Sequence, residues 1–183
     1  MGSIREHREV MLIAAVFSQK VEAFDWFEKV AEAKWGTLIH RGPRLSFDQT
    51  RFYEKQMGTH LLKQLYAFDE LIAPEALATI KLQSNQWEEE FASIGEAAVE
   101  RPLNVDPGYV SEAKLVLATT KDRDHRLYLG HGIYGEVTLF YRQGAWQSRP
   151  WTYPDFQQPE YHSFLNDCRQ DLRERYRTEF LAD

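Results

Sequence analysis

Apolar residues change their spacing several times along the chain, and these changes predict alternating strands and helices. The run from Val10 to Phe17 is apolar without interruption, which is typical of a strand covered on both faces. From Val21 the apolar positions recur every three or four residues until Gly36, which predicts an amphipathic helix. Residues 37–47 and 61–71 have a strand-like composition. The first third of the chain therefore predicts strand, helix, strand and strand.

A second helix is predicted from Pro74, where apolar residues again keep helical spacing as far as Ile94. Gly95 is expected to end this helix, and Glu88 is placed on its outward face. The tripeptide Asp106-Pro107-Gly108 is typical of a tight turn inside the strand-like region that follows. The pattern leaves residues 111–117 open between a short capped helix and a strand.

A β-hairpin is predicted around Gly130-His131-Gly132, because this tripeptide separates two β-rich runs. Centring the turn on His131 makes the apolar and polar alternation agree on both strands, which supports one register. The predicted pairs are Leu127 with Gly135, Leu129 with Ile133, His125 with Val137, Tyr128 with Tyr134 and Arg126 with Glu136.

The element order up to about residue 110 is strand, helix, strand, strand, helix, strand, which predicts a ferredoxin-like βαββαβ unit. The C-terminal hairpin extends this unit, and residues 161–180 predict a terminal amphipathic helix. The 183 residues contain no repeat and no Gly/Ser linker, so a single α+β domain over residues 1–183 is expected.

Charge and cysteine content exclude several classes of protein. The formal net charge is −6, and such an acidic chain lacks the field that non-specific nucleic-acid binding requires. No apolar run approaches the roughly 20 residues that span a bilayer, so neither nucleic acid nor membrane is expected as a partner. Cys168 is the only cysteine, which excludes an internal disulfide and favours a reducing, cytoplasmic location.

Nucleotide-binding and nucleophile motifs are missing from the sequence. It contains no G-x-x-x-x-G-K-[ST], no G-x-G-x-x-G and no G-x-S-x-G. Thr120-Lys121-Asp122 is similar, over three residues, to the lysine–aspartate pair that reads guanine in some GTPases. The alternative interpretation is a polar turn before the hairpin.

The polar face of the hairpin is the strongest candidate for a binding site. If the register holds, Arg126, Tyr128, Tyr134 and Glu136 project together. Arginine binds carboxylate or phosphate groups, and tyrosines line pockets. The face is therefore expected to bind an anionic or phosphorylated small molecule. The alternative is a cross-strand ion pair between Arg126 and Glu136 on a solvated face, worth about 0.2–1 kcal/mol.

Further candidates lie next to the hairpin in sequence. The cluster Asn104, Asp106 and Tyr109 lies at the predicted turn, where Asp106, like Glu136, is a candidate general base or metal ligand. Lys121 and Tyr153 are candidate ligand contacts. The segment around Tyr153 is rich in aromatic residues and prolines, so it forms either a lid over the core or one wall of the site.

A divalent metal is a possible cofactor, because His125 is near Asp122, Asp124 and His131 in sequence and could converge with Asp106. Histidines at a loop are also common as ordinary surface residues. The sequence thus leaves the metal site as one of two interpretations.

An interaction module without catalytic activity is the alternative from another functional class. In this hypothesis exposed aromatic residues such as Trp146 and Trp151 dock a partner protein or a second copy of the chain. Whether the chain is an enzyme stays open at this level.

Several motifs together resemble the bacterial family of domain of unknown function 4416. The motifs are Phe47-Asp48-Gln49-Thr50-Arg51-Phe52-Tyr53-Glu54 with Met57-Gly58, Asn104-Val105-Asp106-Pro107-Gly108-Tyr109, Leu117-Ala118-Thr119-Thr120-Lys121, His125-Arg126-Leu127-Tyr128-Leu129, Gly132-Ile133-Tyr134-Gly135-Glu136-Val137-Thr138-Leu139 and Trp151-Thr152-Tyr153-Pro154-Asp155. The chain departs from the family at Phe52, where a tyrosine is expected, and at Gln56, where a glutamate is expected. The resemblance implies no established activity and no catalytic residue, although some members are labelled as GTP-binding.

Overall fold

A computed structural model describes residue 3 and residues 7–48, 53–94 and 99–182, with side chains as far as residue 178. Four α-helices and nine strands occur in this part of the chain. The strands are β1 (Val10–Ser18), β2 (Leu38–Arg41), β3 (Leu45–Ser46), β4 (Leu62–Ile72), β5 (Leu103–Val110), β6 (Lys114–Thr119), β7 (Leu127–Gly130), β8 (Ile133–Arg142) and β9 (Ala145–Ser148). The helices are α1 (Val21–Trp35), α2 (Glu54–Met57), α3 (Leu77–Ser93) and α4 (Pro159–Ala182), with short 3-10 turns at Pro74–Ala76 and Pro154–Gln157.

The predicted mixture of helices and strands is confirmed, and all nine strands join one antiparallel sheet. The order along the sheet is β2-β4-β1-β5-β6-β8-β7, with β3 paired to β4 and β9 paired to β8. The ferredoxin-like arrangement of the first half remains a prediction. The hairpin strands extend the sheet beyond β6, so one sheet connects both halves of the chain.

The continuous apolar run at the start of the chain becomes the central strand β1, whose nine residues are all buried. Alternate side chains of β1 point to opposite faces, so each face needs its own cover. Leu12, Ala14 and Val16 pack with α1 and α3, whereas Ile13 and Ala15 pack with α4. The helices thus form an outer layer on each side of the sheet.

The hairpin register agrees with the prediction in two pairs and differs near the turn. Leu127 pairs with Gly135, and Tyr128 pairs with Tyr134, as expected. Gly130 rather than Leu129 pairs with Ile133. His131 and Gly132 form a two-residue turn with φ angles of 54° and 76°, which matches the primed turns that suit the twist of a hairpin. This tighter turn shifts the register by one residue beyond Tyr128.

The predicted turn at Asp106-Pro107-Gly108 is wrong, because these residues lie inside strand β5. Proline is tolerated in a strand where the neighbouring ladder does not need its N–H. Pairing between β5 and β6 covers only Gly108–Val110 in the described part of the chain, so Pro107 has no paired neighbour on that side. Residues 114–119 form the strand β6, which resolves the open alternative there.

Helix α3 follows the predicted segment after a 3-10 turn at Pro74–Ala76. Glu88 does not face outward as expected but is buried against the sheet, because it follows Lys81 by two turns on the inward side. Gly95, expected to end this helix, lies outside the described residues, as do 49–52 of the resemblance motif with Phe52 among them. Among the described helices, none has the length and apolar character needed to cross a bilayer.

Candidate functional site

A polar cavity of about 90 Å³ opens on the face of the sheet that carries α4. On the measure by which one water needs roughly 10–15 Å³, this volume holds several waters or a compact ligand. Ala15 of β1, Asp106 of β5 and Glu136 of β8 contribute its sheet side. Tyr153 and the 3-10 turn at Pro154–Gln157 contribute the side chains opposite.

The cavity lies where strands β5 and β6 separate. Their pairing stops at Gly108, and an added Cβ at Gly108 would lie 2.2 Å from the Val116 carbonyl oxygen. Glycine therefore brings the two strands together, and the strands diverge on the N-terminal side of this contact. The gap beside Asp106 is where a side chain from α3 can enter.

Lys81 enters this gap from α3, which packs on the other face of the sheet. Its ammonium donates to the Val105 carbonyl at 2.7 Å and to the Asp106 carboxylate at 2.9 Å. Lys81 is only 2% exposed. Burial raises the pKa of Asp106, but the Lys81 ammonium, together with the charges of Lys63 and Arg101, outweighs this effect and holds the pKa below its usual value. Asp106 is consequently a carboxylate held ionised at the cavity wall.

Arg101 belongs to a second group of charged and polar side chains, which contacts Asp106 through Asn104. Arg101 donates to the Glu88 carboxylate at 2.6 Å and also to the side-chain oxygen of Asn104. The Asn104 amide in turn donates to Asp106 at 2.9 Å. Burial raises the pKa of Glu88, although Lys81 and Arg101 oppose this effect. These contacts fix both oxygens of Asp106 in one orientation.

The hairpin contributes Arg126 and Glu136, whose side chains are 7% and 4% exposed. Arg126 Nε donates to Glu136 at 2.7 Å, and a guanidinium N–H donates to the Lys121 carbonyl at 2.8 Å. His125 also contacts Glu136 at 3.3 Å and stacks on Trp151 at 4.9 Å between ring centroids. The pair is therefore buried, unlike the solvated ion pair that the sequence offered as the alternative.

Lys63 of β4 forms the opposite end of the cavity. Its ammonium lies 2.5 Å from the Asp155 carboxylate, and both side chains are buried. The same ammonium lies over the rings of Phe156 at 4.1 Å and Phe47 at 5.0 Å, within the range of cation–π attraction. At this end of the cavity, Asp155 neutralises the charge of Lys63, and the rings of Phe47 and Phe156 are part of the lining.

Lys121 follows β6 and lines the mouth of the cavity. Partial burial and the positive charges of Arg101 and Arg126 lower its pKa, whereas Asp106 acts in the opposite direction. The cationic lining residues in the described part of the chain are Lys63, Lys81, Arg101, Lys121 and Arg126, against the carboxylates Asp106, Glu136 and Asp155. Glu88, which pairs with Arg101, adds a fourth negative charge to the site. The positive charges still outnumber the negative ones, although the whole chain is acidic.

Three residues that line the cavity have polar side-chain groups without a hydrogen bond in the described structure. They are Thr120, with its hydroxyl, Asn85, whose carboxamide is one turn beyond Lys81 on α3, and Tyr153, which is 45% exposed. A carboxamide both donates and accepts, and a phenol does the same. These groups can orient a bound molecule beside the charged ones.

The structure brings together six of the ten site residues that the sequence singled out. The six that line the cavity are Asp106, Glu136, Arg126, Asn104, Lys121 and Tyr153. Tyr128 is exposed at the hairpin end and packs edge-to-face on Tyr134 at 5.4 Å, outside the cavity lining. Tyr109 lies on the opposite face of the sheet, where it packs against a cluster with Leu77.

The metal interpretation finds no geometric support in the described residues, where no three His, Cys, Asp or Glu side chains converge. His125 contacts Asp124 and Glu136 and is not among the residues that line the cavity with Asp106. Within Thr120-Lys121-Asp122, Lys121 lines the cavity, whereas Asp122 is exposed outside it.

The tryptophans proposed for partner docking are placed differently from that hypothesis. Trp146 is 5% exposed and packs on Tyr141, so it is part of the core. Trp151 is partly buried and donates from its ring N–H to the Val137 carbonyl at 3.0 Å. The exposed apolar residues near the hairpin are instead Leu127, Tyr128 and Leu129.

Sequence reasoning missed several cavity residues, notably Lys63, Lys81, Arg101 and Asn85. One signal was available, because Lys81 follows Leu77 by four residues and precedes Glu88 by seven, so both charges fall on the inward helix face. Charged residues on such a face are buried only when they are paired. Lys63 and Arg101 carried no comparable local signal.

Comparison with known families gives one match. The model for "Domain of unknown function (DUF4416)" matches residues 8–172, a range that includes every residue lining the cavity. Neither the curated proteins nor the solved structures gave a match.

Proposed function

This chain belongs to the family described as domain of unknown function DUF4416, and we propose that it binds an anionic, phosphorylated small molecule in the cavity beside Asp106. The observation that carries the proposal is the excess of cationic side chains around one cavity in a chain of net charge −6. Both signs of charge line the cavity, but the positive charges outnumber the negative ones, and such an excess attracts a ligand of the opposite sign.

Lys121 and Arg101 are the cations best placed to meet such a ligand. Both line the cavity, and the Arg101 side chain is 32% exposed. Arg101 is also paired, with Glu88, but Lys63, Lys81 and Arg126 are buried as well as paired, so they attract an anion by their charge rather than by direct contact. A phosphate monoester carries a charge of about −1.5 to −2 near neutral pH, which complements this field.

The size of the cavity favours a compact ligand over a nucleotide. Sites for drug-sized molecules measure about 300–1,000 Å³, compared with about 90 Å³ here. GTP binding without a P-loop is therefore the less favoured alternative. Asp106 and Glu136 act in this proposal as hydrogen-bond acceptors that orient the ligand.

A thermal-shift screen tests the proposal, with inorganic phosphate, small phosphate esters, carboxylates and GTP as probes. A ligand present at 100 times its Kd stabilises the fold by about 2.7 kcal/mol, which corresponds to a rise in Tm of about 5–10 °C. Lys121→Ala is expected to reduce this rise. The matched control is Lys29→Ala, an exposed lysine on α1, which is expected to leave the rise unchanged.

The proposal is wrong if no anion raises Tm, or if Lys29→Ala and Lys121→Ala weaken the shift equally. A larger and tighter response to GTP than to every small anion favours the nucleotide alternative. Adding a chelator to each sample shows whether a divalent metal contributes to binding.

A second candidate function, a protein-interaction module, is favoured by the apolar end of the hairpin. Leu127, Tyr128 and Leu129 are 75%, 64% and 41% exposed on the edge strand β7. Edge strands with exposed apolar side chains commonly pair with other chains. Light scattering coupled to size exclusion tests this function, and a strict monomer at all concentrations in both wild type and Leu127→Lys argues against self-association.

A further inference from the structure

We infer that the ligand of this cavity carries a hydroxyl group next to its anionic group, so that it is a compact hydroxylated anion such as a small polyol phosphate. This inference rests on the proposed function. It goes further because it assigns a role in ligand recognition to Asp106, a carboxylate at the wall of a site for anions.

The Asp106 carboxylate is a partly exposed acceptor inside a site for anions. Its side chain is 29% exposed, and each oxygen already accepts one hydrogen bond, from Lys81 and from Asn104. Each carboxylate oxygen has about two acceptor positions, so acceptor capacity remains toward the cavity. Because the Lys81 ammonium keeps this carboxylate ionised, it cannot donate a hydrogen bond to a ligand oxygen.

A ligand without a donor would meet this carboxylate unfavourably. An anion bound at Arg101 lies beside Asp106, because the Asn104 carboxamide accepts a hydrogen bond from Arg101 and donates one to Asp106. Bringing a second negative charge beside Asp106 and removing water from it leaves an acceptor unpaired, which is costly. A hydroxyl that donates to Asp106 removes this cost, so Asp106 selects against anions that lack one.

The rest of the lining fits the carbon chain of such a ligand. Phe17, Phe47 and Tyr53 form an aromatic cluster with centroid distances of 5.0–5.8 Å along one wall. The Asn85 carboxamide and the Tyr153 hydroxyl can meet further hydroxyl groups. The aromatic rings can thus contact the C–H groups of the ligand, while the polar lining groups bind its hydroxyl and anionic groups.

Calorimetric titration of the full chain with matched probes tests this inference. Glycerol 3-phosphate and n-propyl phosphate share the phosphate and the three-carbon chain, and only the first has hydroxyls. We expect glycerol 3-phosphate to bind at least tenfold more tightly. Glycerate and propionate form the second matched pair, since a carboxylate is the other common anionic group of metabolites, and a preference for the hydroxylated member in either pair supports the inference.

Asp106→Asn provides the second measurement, because it removes the charge while keeping the size of the side chain. We expect this variant to bind n-propyl phosphate more tightly than the wild type and to lose most of the preference for the hydroxylated probe. Equal affinity within both pairs in the wild type overturns the inference but leaves the proposed anion site standing. If inorganic phosphate and all four probes fail to bind, the proposed function fails with it.

Discussion

Lys81 and Asp106 meet across the sheet: the ammonium of a helix on one face lies 2.9 Å from a carboxylate that lines the cavity on the other. The contact is possible because β5 and β6 are paired only from Gly108 onward. A helix that otherwise packs on the apolar core thereby helps to set the charge of the binding site. The predictions below test this relationship and the charged groups around it.

Replacing Lys81 with methionine is expected to destabilise the protein by about 3 kcal/mol, because removing one member of a buried ion pair leaves its partners uncompensated. Lys81→Met removes the ammonium that donates to the Val105 carbonyl and pairs with Asp106, while Glu88 keeps its ion pair with Arg101. Urea unfolding measures the loss. The exposed Lys29 of α1 supplies the control, since Lys29→Met should change stability by less than about 0.5 kcal/mol.

Asp106 is expected to make stability depend on pH in the acid range. Its folded pKa is lower than the unfolded value of about 3.9, so its ionisation stabilises the fold fully above that pH. This stabilisation is lost as the pH falls through the folded pKa. The difference in unfolding free energy between wild type and Asp106→Asn should therefore shrink below about pH 4.

Urea unfolding of both proteins from pH 7 to pH 2.5 measures this difference. Glu88, whose raised pKa acts in the opposite direction, is present in both proteins and does not create the expected trend by itself. A difference that stays constant over the whole range would contradict the role given to Lys81 in holding Asp106 ionised.

The buried pair Arg126–Glu136 is expected to show strong coupling. Arg126→Met alone should cost about 3 kcal/mol, because Glu136 remains buried without a cationic partner at 2.7 Å. The double variant Arg126→Met with Glu136→Leu should be more stable than Arg126→Met alone. The exposed pair Arg173–Glu112 is the control, and Arg173→Met should change stability by less than about 1 kcal/mol.

Gly108→Ala is expected to destabilise the fold by more than about 2 kcal/mol and to weaken ligand binding. The added methyl group would lie 2.2 Å from the Val116 carbonyl oxygen, so β5 and β6 must move apart. Gly132→Ala provides a contrast, because its Cβ meets open space and only its φ of 76° opposes the change. That variant should cost about 1 kcal/mol and leave binding unchanged.

Local patterns were sufficient for most of the fold. Val10–Phe17 predicted a strand buried on both faces, and the helical spacing after Val21 predicted α1, because burial alone determines both patterns. The hairpin prediction holds for Leu127–Gly135 and Tyr128–Tyr134 and is wrong at Leu129, where the conformation of His131-Gly132 decides the register. His125 and Arg126 precede β7, so their predicted pairs are not part of the strand pairing. The turn predicted at Asp106-Pro107-Gly108 was wrong, because proline and glycine also occur inside a strand where it is not paired on one side.

The candidate site could be predicted only in part. Arg126, Glu136 and Lys121 lie close together in sequence, so a hairpin register is enough to associate them. Lys63 and Arg101 reach the same cavity from β4 and from the segment before β5, through a strand order that no local pattern encodes. Long-range topology, rather than side-chain chemistry, was the missing information.

The single cysteine of this chain, Cys168, lies on the apolar side of α4 with no exposed surface, and burial raises the pKa of its thiol. Thiol reagents act on the thiolate and need access to it, so the native chain should resist them. A cysteine introduced at exposed Lys121 would then be the only thiol that a fluorophore can label. Site-directed labelling can in this way report on occupancy of the cavity without first removing a native residue.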